Sequence, residues 1–481
     1  MHTGVVLGTA VALAALMSTA CSAQEPFKLP DPPANLDELG AKVQRTMTLL
    51  ATSTPQKRNR VRVLFYGQSV TAGQWSRAVA DNLRKAFPHA DLVIENRAIG
   101  GYEAPTLIHT AEYDLYPFYP DLLIFHVYGG VQSGEQEQII RRTRQRTTAE
   151  ILLWTSHFRW PGNLPRDGSP EDEGAQKLYQ ADERRAAMIR SLAGKYGCEL
   201  AEVRKAFSQY LRGNGLFPKD TLADGVHPNK LGNFLIEKLM MPSLRYDATF
   251  PTDVWENLVR DIPVADGAVQ RTDGGGLRLS FRGNRVDVLP AHGAEETQGA
   301  ARVLIDGRPP SELPELHYHT RPSAAPHVWW PAINRIDHDR PLVAEDWTAR
   351  ITQCDPDKNI LKYEVVGSKT GPDGSGDHTK RFVSNSGRVV IDPGRWMVCH
   401  ALRYRKKPLP EGYEVTWQVK PLFVDTYRAP VTDDAAREYA TTLAQGLSNA
   451  QHTLELIPVG DGALPVAAFR VYTPPLPIEE E

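Results

Sequence analysis

From about residue 62 to about residue 241, short apolar runs alternate with stretches in which apolar positions recur every three or four residues. The runs cover 61–66, 91–96, 121–128, 150–157 and 198–203. Each is nearly continuous in apolar character, as expected for strands buried on both faces. Trp75, Val79, Leu83 and Phe87 form one helical stripe, and 135–149, 172–195 and 231–241 carry others. Five strands alternating with helices predict a parallel α/β sheet. Ahead of it, 24–33 is rich in proline. Leu36, Leu39, Val43, Met47 and Leu50 then fall at helical spacing. Residues 24–58 therefore read as a linker and a docking helix, and 59–248 as the α/β domain.

After about residue 245 the period changes. Runs at 277–281, 285–289, 302–305, 363–366, 388–391 and 414–419 alternate like strands. Asp273-Gly274, Asp306-Gly307 and Asp373-Gly374 punctuate them as turns. Residues 249–481 are predicted to be all-β and large enough for two sandwiches. Two pieces, 268–313 and 433–476, read as halves of one module. These pieces resemble halves of a carbohydrate-associated jelly roll, and that resemblance implies that the stretch between them, 314–432, is an inserted β-unit.

The composition fits two or three folding units in 481 residues. With 41% hydrophobic and 23% charged residues, the chain is neither disordered nor a polytopic membrane protein. Its net charge is 55 − 58 = −3, which gives no reason to expect a nucleic-acid partner. The apolar segment 4–17 is shorter than the ~20 residues that span a bilayer. Small residues follow it, as in a secretory signal cleaved after Ala23, so 1–23 reads as a signal peptide. Cys21 keeps a lipoprotein anchor open, although Ser18 stands where that motif usually has leucine. Of the remaining thiols, Cys354 and Cys399 are the expected pair in an oxidising compartment, and Cys198 reads as a buried small hydrophobe.

Ser69 ends the first strand on a turn, Gly67-Gln68-Ser69, just before a helix. In a parallel sheet, ligands bind at the carboxyl ends of the strands. A nucleophile there is exposed and has backbone N–H groups close by. A serine needs a base, and the base needs an acid to orient it. Asp224-Gly225-Val226-His227-Pro228 opens the last helix of the α/β domain and carries both on one short loop. Several other features have ordinary readings. Arg141, Arg142, Arg144 and Arg146 form a solvated helix face. Residues 355–360 start like a calcium loop but have Ile360 where glycine is required. Trp329-Trp330 reads as core packing, with a sugar platform as the alternative.

The order Gly-x-Ser, glycine after strand two, a glycine turn after strand three and Asp-x-x-His-Pro resembles the SGNH (GDSL-type) serine hydrolases over about residues 60–245. The resemblance implies a flavodoxin-like three-layer domain needing no cofactor and no metal. It makes Ser69 the nucleophile, His227 the base and Asp224 the orienting acid. The stretch from Asn96 to Gly101 is similar to the second block, so the Gly101 N–H becomes an oxyanion donor beside that of Ser69. There are two departures. Gln68 replaces the aspartate of the first block. Tyr128-Gly129-Gly130 stands where the third block has Gly-x-Asn, with Gly130 aligned to the asparagine. Losing one oxyanion donor typically costs about 10²–10³ in kcat. A backbone N–H of that turn, or another side chain, is expected to replace it. His126, His157 and Tyr128 are the nearby candidates for substrate contact.

The 268–313 and 433–476 pieces resemble carbohydrate-associated jelly rolls. Together these readings imply an exported serine esterase, a carbohydrate O-acetylesterase whose partner is acetylated polysaccharide or oligosaccharide. It would be periplasmic, extracellular or an outer-membrane lipoprotein. A lipase or thioesterase, a peptidoglycan-directed esterase, and a carbohydrate-binding protein on a degenerate esterase scaffold stay open as alternatives.

Overall fold

The computed structural model describes residues 25–166, 168–251, 257–291, 299–460, 462 and 464–477. The expected signal peptide, its cleavage point and Cys21 lie outside them. The α/β domain runs α1 (Gln44–Ala51), β1 (Arg60–Gly67), α2 (Gln74–Ala86), β2 (Asp91–Asn96), α3 (Ala104–Asp114), β3 (Leu122–His126) and α4 (Glu135–Arg146). It continues through β4 (Glu150–Trp154), α5 (Glu173–Tyr196), β5 (Glu199–Ala201), α6 (Val203–Gly213) and α7 (Lys230–Met240). The five strands pair in parallel in the order β2-β1-β3-β4-β5. This is the flavodoxin-like sheet that the resemblance implies.

Alternate residues of β1 serve opposite faces. Val61, Val63 and Phe65 pack with Met47, Trp75, Val79, Phe207 and Leu235 from α1, α2, α6 and α7. Leu64 and Tyr66 pack with Leu107, Ile140 and Ile189 from α3, α4 and α5. Each large side chain buried this way contributes about 1.5–3 kcal/mol.

The docking helix is shorter than its stripe suggests. It begins only at Gln44, and Leu36 is exposed. Gly40 breaks the stripe at φ +90°, where an added Cβ would lie 2.9 Å from the Arg245 carbonyl. The N–H groups of Gly40 and Lys42 turn aside to the Glu199 carboxylate. Two helices give no separate signal in the sequence reading. α3 is buried on most of its surface, so it shows no polar face. α6 begins where the fifth apolar run ends.

The β region starts with β6 (Val259–Pro263), β7 (Val269–Arg271), β8 (Leu277–Pro290), β9 (Ala300–Ile305) and β10 (His317–His319). It continues with β11 (Asp346–Asp355), β12 (Ile360–Gly367), β13 (Gly371–Asp377), β14 (Phe382–Val383), β15 (Val390–Ile391) and α8 (Val398–Arg405). It ends with β16 (Glu414–Pro421), β17 (Thr426–Arg428), β18 (Thr441–Val459) and β19 (Val466–Tyr472). One antiparallel sheet has the order β17-β9-β18-β8-β19-β6, with β7 on β8. The long strands β8 and β18 lose register around Gly283. Leu279 and Phe281 from one half of β8 share a core with Val286 and Val288 from the other. The second sheet, β10-β16-β11-β12-β13, belongs to the insertion. β17 lies within 314–432 yet pairs with β9, so the insertion's own sheet ends at Pro421.

The insertion is not a separate body. Ile99, Tyr102 and Leu107 of the α/β domain share one apolar core with Trp330, Ile333, Trp347 and Trp417 of the insertion. Polar ties surround this seam. Arg321 grips Asp114 at 2.6 and 2.9 Å, and the Tyr102 hydroxyl donates to Asn334 at 2.6 Å. Cys354 and Cys399 are neighbours but remain free thiols, contrary to the expected bridge. Burial pushes the Cys399 thiol up to about 12, and the adjacent Cys354 adds to the shift. Cys198 is buried.

Candidate active site

β1 delivers Ser69 to the carboxyl edge of the sheet through a turn that only glycine can start. A Cβ on Gly67 would lie 2.3 Å from the His126 carbonyl and 2.7 Å from the Thr71 hydroxyl. The chain then turns back, with the N–H of Thr71 donating to the Gln68 carbonyl at 2.9 Å. Gln68 is buried, and its side-chain oxygen accepts the N–H of Tyr128 at 3.0 Å. This ties the serine turn to the turn after β3. An acceptor oxygen is all that bond requires, and an amide supplies it as a carboxylate would.

Asp224 and His227 share a loop held at both ends. The N–H of Ala223 donates to the His227 carbonyl at 2.8 Å, and that of Asn229 to Thr221 at 2.9 Å. Asn229 caps α7 by accepting from the Gly232 N–H. On this loop, His227 Nδ1 lies 2.7 Å from Asp224 Oδ2, and His227 Nε2 lies 2.9 Å from Ser69 Oγ. A carboxylate only accepts, so Nδ1 carries the proton and Nε2 faces the hydroxyl as a base. Desolvation pushes the Asp224 carboxyl up. Hydrogen bonds from the N–H groups of His227 and Val226 and from the imidazole outweigh it, holding the group at about 2. The His227 and Asp224 side chains are 46% and 57% exposed, so the site is open to solvent.

Gly101 and Gly130, expected with Ser69 to supply oxyanion donors, lie on two turns tied by hydrogen bonds to the serine turn. The N–H of Ile99 donates to the Gly67 carbonyl at 2.9 Å, which ties the Gly100-Gly101 turn to the turn that carries Ser69. Among the described residues, no acceptor pairs with the N–H of Ser69, Gly101 or Gly130. The Gly100 carbonyl accepts two indole N–H groups from the insertion, Trp329 at 3.0 Å and Trp330 at 2.7 Å. That carbonyl and the Gly101 N–H belong to one trans peptide, so they point to opposite sides. Holding the oxygen toward the indoles turns the N–H away from them.

The missing asparagine has a steric reason. Gly130 sits at φ +81°, and a Cβ there would lie 2.6 Å from Ala104 Cβ and from Pro105 Cδ at the start of α3. At Gly129, a Cβ would fall 2.0 Å from a carboxylate oxygen of Glu103. Gly130 has no room for a side chain, whereas at Gly129 only the movable end of the exposed Glu103 stands in the way.

His126, His157 and Tyr128 do not face substrate, contrary to expectation. His126 and His157 are completely buried and Tyr128 nearly so. His126 stacks on Trp154 at 4.0 Å and pairs with Ser156 at 2.8 Å. His157 bridges the Tyr128 hydroxyl at 3.2 Å and the Val226 carbonyl at 2.8 Å, bracing the loop that carries His227. Burial lowers His157 to about 4 and His126 well below the usual imidazole range. Residues not singled out for the site by sequence also appear here. Glu103 borders the Gly129 turn, and Arg166 donates to the Leu222 carbonyl at 2.6 Å behind the Asp224 loop. Neither carries a motif.

No family model matches the chain, and no curated protein is detectably similar in sequence. Solved structures do resemble it. An acetylxylan esterase from Geobacillus stearothermophilus is 16% identical, at a TM-score of 0.32, over 40% of this chain and 98% of its own. A two-domain esterase active on acetylated mannans is 14% identical, at a TM-score of 0.34, over 90% of this chain and 95% of its own. TM-scores this low carry no functional weight; the geometry of Ser69, His227 and Asp224 does.

Proposed function

We propose that the protein is a serine esterase that removes acetyl groups from carbohydrate. The observation that carries the reading is the unbroken chain Asp224–His227–Ser69, at 2.7 and 2.9 Å, on the carboxyl edge of a parallel sheet. Ser69 Oγ attacks the ester carbonyl while His227 Nε2 takes the hydroxyl proton. Asp224 stabilises the imidazolium and does not itself take the proton. The N–H groups of Ser69 and Gly101, with that of Gly130, receive the oxyanion. The imidazolium then protonates the departing alcohol. Water attacks the acyl-serine with His227 again as base, releasing acetate.

Export fits the apolar segment 4–17 and the small residues after it. The carbohydrate substrate is supported by the β region that the chain builds against its catalytic domain. The test is acetate release from acetylated xylan, mannan and pectin by wild type and by Ser69→Ala. Release by wild type, reduced about 10⁶-fold in the variant, is expected. Turnover that survives Ser69→Ala would overturn the assignment.

A further inference from the structure

Among the described residues, Trp329 is the only exposed tryptophan, at 58%. It stands on a loop tied at several points. Ala324 and Pro331 bridge its base, the N–H of Ala325 donates to the Trp330 carbonyl at 2.7 Å, and the Tyr413 hydroxyl donates to Ala324 at 2.9 Å. Trp330, next to it, is buried among Tyr102, His400 and Tyr404. The Trp329 indole lies against Gly100, where a Cβ would come within 3.1–3.4 Å of its ring atoms. Its N–H is already bonded to the Gly100 carbonyl. The side chain is therefore held in one orientation, its polar atom is satisfied, and much of its surface faces water.

An exposed aromatic ring fixed in this way has lost its conformational entropy before any ligand arrives. Its position is specific. Gly100 follows Ile99, which bonds Gly67, two residues before Ser69. The exposed carboxylate of Glu103 lies three residues past Gly100, beside the Gly129 turn. A flat apolar face with a hydroxyl acceptor nearby suits a pyranose ring, whose C–H face stacks and whose hydroxyls need acceptors. A long acyl chain would instead require an apolar groove without that charge.

We propose that Trp329, carried by the inserted β-unit, is the stacking platform for the sugar ring that bears the scissile acetyl ester. The proposal rests on the esterase reading above and assigns that site its leaving-group subsite. Catalysis and sugar recognition are then split between two parts of the chain.

The test compares kcat/KM on an acetylated oligosaccharide with kcat/KM on p-nitrophenyl acetate, in the full chain. The ratio of the two cancels any change in the Gly100 peptide that affects both substrates. Trp329→Ala is expected to lower the ratio about tenfold, chiefly through KM for the oligosaccharide. Trp329→Phe keeps a ring and loses the N–H, and should largely preserve the ratio. An unchanged ratio in Trp329→Ala would overturn the platform. If wild type cleaves no ester, the esterase reading fails instead, and the platform is judged by binding. Quenching of tryptophan fluorescence by unacetylated xylo- or manno-oligosaccharides, lost in Trp329→Ala, would uphold it. No quenching in wild type would sink it.

Discussion

Asp224 and His227 are three residues apart on one braced loop, and they meet Ser69 through elements of the α/β domain alone. Gly100 belongs to the same domain but is held by indoles 229 and 230 residues further along the chain. One half of the site is thus local to the parallel sheet, and the other half depends on the β-unit. The contrast shows that a module which looks like an appendage can fix a backbone group of the candidate site.

Removing residues 249–481 is the most severe way to test the contrast. It would uncover Tyr102, which is buried beside Trp330 and donates to Asn334 of the insertion. Loss of p-nitrophenyl acetate activity is expected, with a collapse of cooperative thermal unfolding. A truncated chain that melts and turns over like the parent would show that the two halves are independent.

Trp330→Phe is milder. It removes one of two donors to the Gly100 carbonyl and leaves a ring in the seam. A fall in kcat of about tenfold, on small and large esters alike, is expected, below the usual cost of losing a whole oxyanion donor. An unchanged kcat would separate the indole from the Gly101 N–H.

Gly130→Asn restores the residue usual at this position in the resembled family, and should harm rather than help. The clash with Ala104 and Pro105 predicts destabilisation by about 1–3 kcal/mol, read as a lower Tm. Raised kcat at unchanged Tm would contradict the steric account.

A further test varies pH. Burial lowers His157 to about 4 from a usual 6.5, so the folded state resists a proton that the unfolded chain accepts. Its contribution is complete above about pH 6.5 and is lost as pH falls toward 4. The shift of 6.5 − 4 = 2.5 corresponds to about 3 kcal/mol at most. Tm should drop over that window, and His157→Gln should flatten the slope. Asp224, held at about 2, stays ionised throughout, so an activity limb above pH 4 belongs to another group.

Much of the α/β domain was readable in the chain, because strands, helices and turns leave periodic or local marks. Apolar runs located all five strands, and the turn at Gly67 and the Asp-x-x-His loop singled out Ser69, Asp224 and His227. The docking helix was read too long, because Leu36 and Leu39 keep the spacing while Gly40 breaks the backbone. His126 and His157 were placed at strand ends, where sequence cannot tell a rim from a core. Tertiary structure buried them, since Trp154 and the Val226 carbonyl close over them from elsewhere. The Trp329-Trp330 pair was visible as a dipeptide, but its partner was not. A contact spanning 229 residues repeats with no period, and only the folded packing of the β-unit on α3 decides that two indoles meet the carbonyl of Gly100.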